Sequence, residues 1–292
     1  MTYIFESLIN PILVYGSDVW GVNANGTAVM DKLCMWYLRR ILNVKATTSN
    51  LIVLGECGVL PPSVQCHVKV LTYYKRLQHM SESTVVKKVF DELCRLRDMG
   101  FNTWTGKVCE LAENCDVDQF KKICKFNTSS QFKSTWYSNI HNFTDNPLLR
   151  TYQQFKTTYE MEPYLQVVAN TKFRSALSRF RASSHNLAIE KGRYTNPKTP
   201  VEHRLCHFCN VIENEEHFVM DCIANSNLRK VLFAQIAGVD NSFCKLSKHQ
   251  KFLLLLQTRN EFILSWFGKY LFKSFNNRNK KMLGVDMSHV SF

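Results

Sequence analysis

Thr171-Lys172-Phe173-Arg174-Ser175-Ala176-Leu177-Ser178-Arg179-Phe180-Arg181-Ala182-Ser183 carries a strong helical pattern. Phe173, Ala176, Leu177 and Phe180 recur at steps of three and four, the spacing that gathers side chains on one face of an α-helix. Lys172 and Arg179 flank one side of that stripe, Arg174 and Arg181 the other. The helix therefore buries an aromatic seam between two basic rims. Toward the C-terminus the periodicity returns over Lys251 to Leu256, then at Phe262, Ile263, Trp266, Phe267, Tyr270, Leu271 and Phe275. The residues beyond, including Arg278, Lys280 and Lys281, are expected to fray.

Toward the N-terminus, Met1 to about Gly26 mixes apolar residues with turn signals at Tyr15-Gly16 and Asn25-Gly26. Thr27, a fair N-cap, then opens a helix to about Asn43. Leu51 to Gly58 is apolar and glycine-interrupted. Pro61-Pro62 opens a helix to about His79, because proline in the first turn lacks only an N–H that has no partner there. Phe90, Leu93 and Leu96, then Trp104, Val108 and Leu111, mark two more helices. Asn127 to Asn146 is polar and aromatic and fits neither period. Alternating strands are nearly absent and no repeat is visible. The expected fold is mainly α.

Four regions follow: 1–80 helical; 81–150 a poorly patterned connector ending near the Phe143-Thr144-Asp145-Asn146-Pro147 turn; 151–235 the basic helix with a cysteine-histidine module; 236–292 C-terminal amphipathic helices. No run of apolar residues is long enough to cross a membrane. Met1-Thr2-Tyr3 leads into Ile4-Phe5-Glu6 without the marks of a secretory signal, so an intracellular protein, nuclear or cytoplasmic, is expected. Eleven cysteines in such a protein read as reduced thiols. Cys34, Cys57, Cys66, Cys94, Cys109, Cys115, Cys124 and Cys244 lack partners at ligand spacing and read as small buried hydrophobes. The formal net charge of +13, from 37 Lys and Arg against 24 Asp and Glu, favours a polyanionic partner, nucleic acid foremost.

The chemistry gathers at Cys206-His207-Phe208-Cys209, followed by His217 and Cys222, a C-x2-C-x7-H-x4-C pattern. Two thiolates separated by two residues turn toward one ion from a tight turn, and a later His and Cys complete the tetrahedron that Zn²⁺ favours. With four protein ligands the site is closed to water and hence structural. Phe208, Phe218 and Val219 are its expected apolar base. Competing readings are a set of buried core cysteines and histidine without metal, or a ligand role for His203 or His207.

Around this motif the sequence resembles a family. Tyr164-Leu165, Phe173 to Arg181, Ser184-His185-Asn186-Leu187 and Glu190-Lys191-Gly192-Arg193-Tyr194 look like the region preceding the terminal CCHC zinc knuckle of non-LTR (LINE-type, jockey-like) retrotransposon reverse transcriptases. Glu213, Glu215-Glu216-His217-Phe218 and Cys222 ahead of Arg229 match the knuckle pattern. Tyr15-Gly16-Ser17-Asp18-Val19-Trp20 resembles the YGxxxW segment that opens the polymerase thumb. Leu38 to Asn43, and Gly55-Glu56-Cys57-Gly58 with Pro61, resemble the thumb helix and its following turn. The resemblance implies a helical thumb-like region over 1–80 and contact with template RNA or target DNA. It also implies an upstream polymerase portion holding the catalytic carboxylates. This chain has no adjacent Asp pair following an aromatic, so a two-metal polymerase site has no evident ligands and no enzymatic activity is expected.

For nucleic acid, the candidate contacts are Lys172, Arg174, Arg179, Arg181, Lys191, Arg193 and Arg204, with Lys198, against only Glu190 and Glu202 in the same stretch. Such a cluster gives salt-sensitive phosphate affinity. His185, Tyr194 and Phe208 are candidate stacking faces. The alternatives are solvated rims of a buried helix, a protein-interaction module exposing Met35, Trp36 and Tyr37, and a thiol enzyme using Cys66 beside His67. Adjacent residues on a helix do not face one another, which weighs against the last. No small-molecule substrate is expected.

Overall fold

The computed structural model describes residues 4–113, 124–141 and 147–283, and among them there is no strand. The chain is mainly α. In chain order the first helices are α1 (Ala24–Leu42), α2 (Asn50–Cys57), α3 (Pro62–Gln78), α4 (Val85–Asp98), α5 (Trp104–Glu113) and α6 (Cys124–His141). They are followed by α7 (Thr171–Arg181), α8 (Glu215–Met220), α9 (Ser226–Ala237), α10 (Lys248–Gln257) and α11 (Glu261–Met282). No single described helix is long and apolar enough to cross a membrane. Two compact units form: Met1–Ile41 with Cys57–Asn142, and Leu42–Glu56 with Phe143–Phe292.

The first unit is organised on α3, which packs against the Ser17–Trp20 turn, α4, α5 and α6. Val70, Leu71, Tyr74 and Leu77 of α3 bury themselves with Phe90 and Val108. Pro62 sits in the first turn of α3, as its sequence requires. Helix α1 begins earlier than expected. Asn23 Oδ1 accepts from the Asn25 and Gly26 amides at 3.1 and 3.4 Å and takes the capping role assigned to Thr27, whose hydroxyl instead donates to Ala24 O at 3.1 Å. The opening stretch, read as turn-rich, is a series of short helical turns from Phe5 to Trp20. Ile4, Leu8, Ile12, Tyr15, Val29 and Trp36 are exposed in this unit, whereas Met35 is buried.

In the second unit α7 packs along α11. Gly268 allows the close crossing: a Cβ there would lie 3.0 Å from Phe173 O and 3.1 Å from Leu177 Cδ1. Leu177 and Phe180 are buried, as the aromatic seam predicts. Asn170 caps α7 by accepting from the Lys172 and Phe173 amides. The apolar, glycine-interrupted run from Leu51 is helical as far as Cys57, within α2, and its Glu56 is wholly buried. Helix α6 likewise occupies most of the stretch left unassigned. The turn expected at residues 143–147 lies, apart from Pro147, outside the described residues. The C-terminal fraying is corrected: α11 continues to Met282 and Arg278 is buried. Cys34, Cys57 and Cys66 are buried, but Cys94 and Cys109 are half-buried and Cys244 is exposed. The Cys115 and Cys124 side chains fall outside the described ones.

Candidate metal centre and basic surface

The metal centre begins with a hairpin. Cys206 N donates to Val211 O at 2.7 Å and Glu213 N to Arg204 O at 2.9 Å, leaving Leu205 and Ile212 bridged. Between them the chain turns through Asn210, whose φ of 55° is a left-handed conformation that asparagine tolerates better than most residues. This turn points Cys206 and Cys209 toward one place. Asn214 then starts α8 by accepting from His217 N at 2.8 Å. His217 lies within the helix, and Cys222 follows its end, where its amide donates to His217 O at 2.9 Å.

One ligand atom from each of Cys206, Cys209, His217 and Cys222 lies within 4.8 Å of the others, close enough to hold a single metal ion. The sulfur of Cys222 is 3.8 Å from that of Cys206 and 4.0 Å from that of Cys209, far beyond a disulfide bond of about 2.05 Å. His217 Nε2 is buried and has no hydrogen-bond partner among the described residues, a costly state for a polar atom unless something else satisfies it. Burial lowers the His217 imidazole below its ordinary value, which keeps it neutral as a ligand must be. Burial pushes the Cys206 thiol up and that of Cys222 to about 12. A divalent cation between them inverts that preference and stabilises thiolates. Backbone amides of Phe208 and Cys209 favour charge on Cys206, and Ile223 N donates to Cys209 Sγ at 3.4 Å. His203 and His207 are exposed and outside the cluster.

The centre is seated on α11. Phe218 stacks on Phe275 with centroids 4.5 Å apart. Tyr270 donates its hydroxyl to Val219 O at 3.0 Å, and Asn277 Nδ2 to Ala224 O at 2.7 Å. Arg278 grips the Glu213 carboxylate with two hydrogen bonds of 2.6 and 2.7 Å, both partners being buried. The same carboxylate accepts from Ala188 N at 2.6 Å. Of the expected apolar base, Phe208 is half-buried against Cys206, Cys222 and Ala224, while Phe218 and Val219 are buried and Phe218 packs on Phe180 and Phe275.

The candidate cations separate into two groups. Lys172, Arg179 and Lys191 are exposed, as is Lys198, and Arg174 is half-buried, donating to Val168 O at 3.0 Å. Arg181, Arg193 and Arg204 are corrected: each is used inside the unit. Arg181, 3% exposed, donates to Glu56 at 2.8 and 3.0 Å, pairs with Glu162 at 2.8 Å and lies over the Phe155 ring. Burial alone would raise the Glu56 carboxyl, but Arg181, Lys156 and Tyr164 together hold it below its ordinary value. Arg193 pairs with buried Glu190 at 3.0 Å. Arg204 covers Gly192 and donates to Ile189 O and Thr199 O, both at 2.9 Å.

No protein-family model, curated protein or solved structure matches this chain.

Of the stacking candidates only Tyr194 is exposed. His185 is buried and bonded to Glu215 at 3.1 Å. The Glu215 carboxyl is opposed by burial, yet His185 and Arg150 outweigh it and hold the group at about 2. Cys66 is buried, and burial raises its thiol, the opposite of what a thiolate nucleophile needs. Sequence reasoning missed Arg278, although Leu271, Phe275 and Arg278 continue one helical stripe and so place it beneath the centre.

Proposed function

We propose that this chain is the non-catalytic C-terminal portion of a non-LTR retrotransposon reverse transcriptase, and that its second unit is a zinc-stabilised module binding template RNA or target DNA. The observation that carries it is the closed three-cysteine, one-histidine cluster built into the same unit as the exposed cations Lys172, Arg179 and Lys191. Zinc fits the donor set. Zn–S bonds of about 2.3 Å at the tetrahedral angle separate sulfurs by about 3.8 Å, and the sulfur of Cys222 lies 3.8 and 4.0 Å from those of Cys206 and Cys209. When bound, the ion cross-links the Cys206–Cys209 turn to α8 and supplies folding free energy. No ligand position is left for water, so the ion takes no part in chemistry. Cysteines stay reduced most readily in the nucleus or cytoplasm, where this reading places the chain. The polymerase portion of the same element is the natural protein partner.

The test uses the purified full chain. About one zinc per chain is expected, lost in Cys206→Ser with Cys209→Ser together with hydrogen-exchange protection around residues 205–225. Single-stranded RNA should bind with an affinity that falls with salt. Three phosphate contacts predict a log–log slope of about −2, or roughly a twentyfold loss between 50 and 200 mM salt. Zinc retained in the double variant sinks the ligand assignment. Salt-independent binding, or none at low salt with zinc present, sinks the nucleic-acid reading. A second reading, a protein-interaction module, is favoured by exposed Ile4, Leu8, Ile12, Tyr15 and Trp36 in the first unit. It predicts a protein partner whose capture resists high salt.

A further inference from the structure

A cleft of about 740 Å³ opens in the second unit between α7, α11 and the loops at 43–45 and 184–186, away from the metal ligands. That volume lies within the range of small-ligand pockets, roughly 300–1,000 Å³. Its cations are Lys45, Lys172 and Arg179, and no Asp or Glu is among its described lining residues. Two of these cations are hydrogen-bonded without being neutralised. Lys45 Nζ donates to His185 O at 3.1 Å and Asn186 Oδ1 at 3.0 Å. Arg179 donates to Asn43 O at 2.7 Å and Asn43 Oδ1 at 2.9 Å. All four acceptors are neutral, so these contacts fix the positions of the two charges and leave their fields unopposed.

The remaining lining is as selective. Asn276 and Asn279 of α11 are exposed, and the half-buried rings of Phe272 and Phe275 lie between the helices. Phe275 is held in place by its stack on Phe218. Asparagine amides both donate and accept, as base edges do. Aromatic faces suit unpaired bases, and cations suit phosphates. A free anion or an acidic peptide would use the cations alone.

We infer that this cleft holds single-stranded nucleic acid, with an unpaired base against Phe272 and Phe275, its edge toward the α11 amides, and its flanking phosphates on Lys45, Lys172 and Arg179. The inference rests on the nucleic-acid reading above. It places the contact in this cleft and not on the basic loop from Lys191 to Lys198.

The experiment measures fluorescence anisotropy of short labelled single-stranded RNA, its DNA counterpart and the duplex, with zinc-loaded full-length protein. The cleft variant Lys172→Glu, Asn276→Asp, Asn279→Asp alters exposed side chains. The loop variant Lys191→Glu, Lys198→Glu makes the same change in net charge. Zinc content checks that both fold. Affinity for single strands, RNA or DNA, should fall at least tenfold in the cleft variant and clearly less in the loop variant, and photocrosslinks from iodouracil should map to 272–275. If wild type binds but the two variants lose affinity equally, or the cleft variant loses none, the cleft assignment is overturned and the nucleic-acid reading stands. Tighter binding of the duplex also overturns the cleft. Absence of wild-type binding to every probe at low salt overturns both.

Discussion

Replacing Arg278 by methionine keeps most of the aliphatic stem that packs along α11 but removes the guanidinium. Glu213 is then left 1% exposed, with two bonds to Arg278 of 2.6 and 2.7 Å gone and only the Ala188 amide, 2.6 Å away, still donating to it. Removing one partner of a buried pair costs about 3–5 kcal/mol, since an uncompensated charge stays behind. The surviving Ala188 N–H, which still donates to the carboxylate, argues for the lower end, about 3 kcal/mol. Each factor of ten is about 1.4 kcal/mol, so local opening should become on the order of a hundredfold more frequent. Hydrogen exchange read by mass spectrometry on zinc-loaded protein gives the comparison. Peptides across 205–225 and 261–282 should lose protection by about that factor, while peptides from α3 serve as the internal reference. Glu213→Gln with Arg278→Met should lose less than the two single losses combined, because neither charge is then stranded. If Arg278→Met leaves protection at 205–225 unchanged, or the losses simply add, the pair does not seat the metal centre on α11.

Two further predictions concern the core of the second unit. The Glu56 carboxyl has a folded-state value below its ordinary 4.5. Between those values the unfolded chain binds more protons than the folded one, so the stabilisation from this group is complete above about 4.5 and is lost as pH falls through the depressed value. Glu56→Gln should therefore be less stable at neutral pH and show a shallower acid limb in urea midpoints measured against pH; an unchanged limb refutes the role of the pair. Gly268→Val should destabilise by about 1–3 kcal/mol, because the added carbons meet the Phe173 backbone. Thermal unfolding checks it, and a neutral result would mean that α7 and α11 do not cross so closely.

The helical class was legible because an apolar stripe at helical spacing has few other uses. Phe173, Leu177 and Phe180 behave accordingly, with the last two in the core. The metal ligands were legible for a similar reason: their spacing is local, so one turn and one short helix suffice to gather them. Arg181 was not legible. Its neighbours in sequence are basic, and its partner Glu56 lies 125 residues away, a separation that no periodicity encodes. Helix α2 escaped for a related reason, since a short apolar run has no polar face to report its period. The start of α1 was misplaced because Asn23 and Thr27 are both good caps, and only the backbone geometry selects between them.

Residues 57–142 leave and rejoin the second unit, whose own chain resumes on either side of them. A truncation that begins after the first unit would keep all four metal ligands and Arg181 but discard Glu56, Lys45 and Asn43. Such a piece would leave Arg181 with Glu162 but without its two hydrogen bonds to Glu56, and would carry a cleft missing one wall. Metal content alone would therefore be a misleading sign that the excised piece is native. A faithful excision instead has to keep Leu42–Glu56 and join it to the chain that resumes at Phe143. In ribosomal synthesis the segment 42–56 emerges well before its partners, so completion of this unit waits until α11 has left the tunnel.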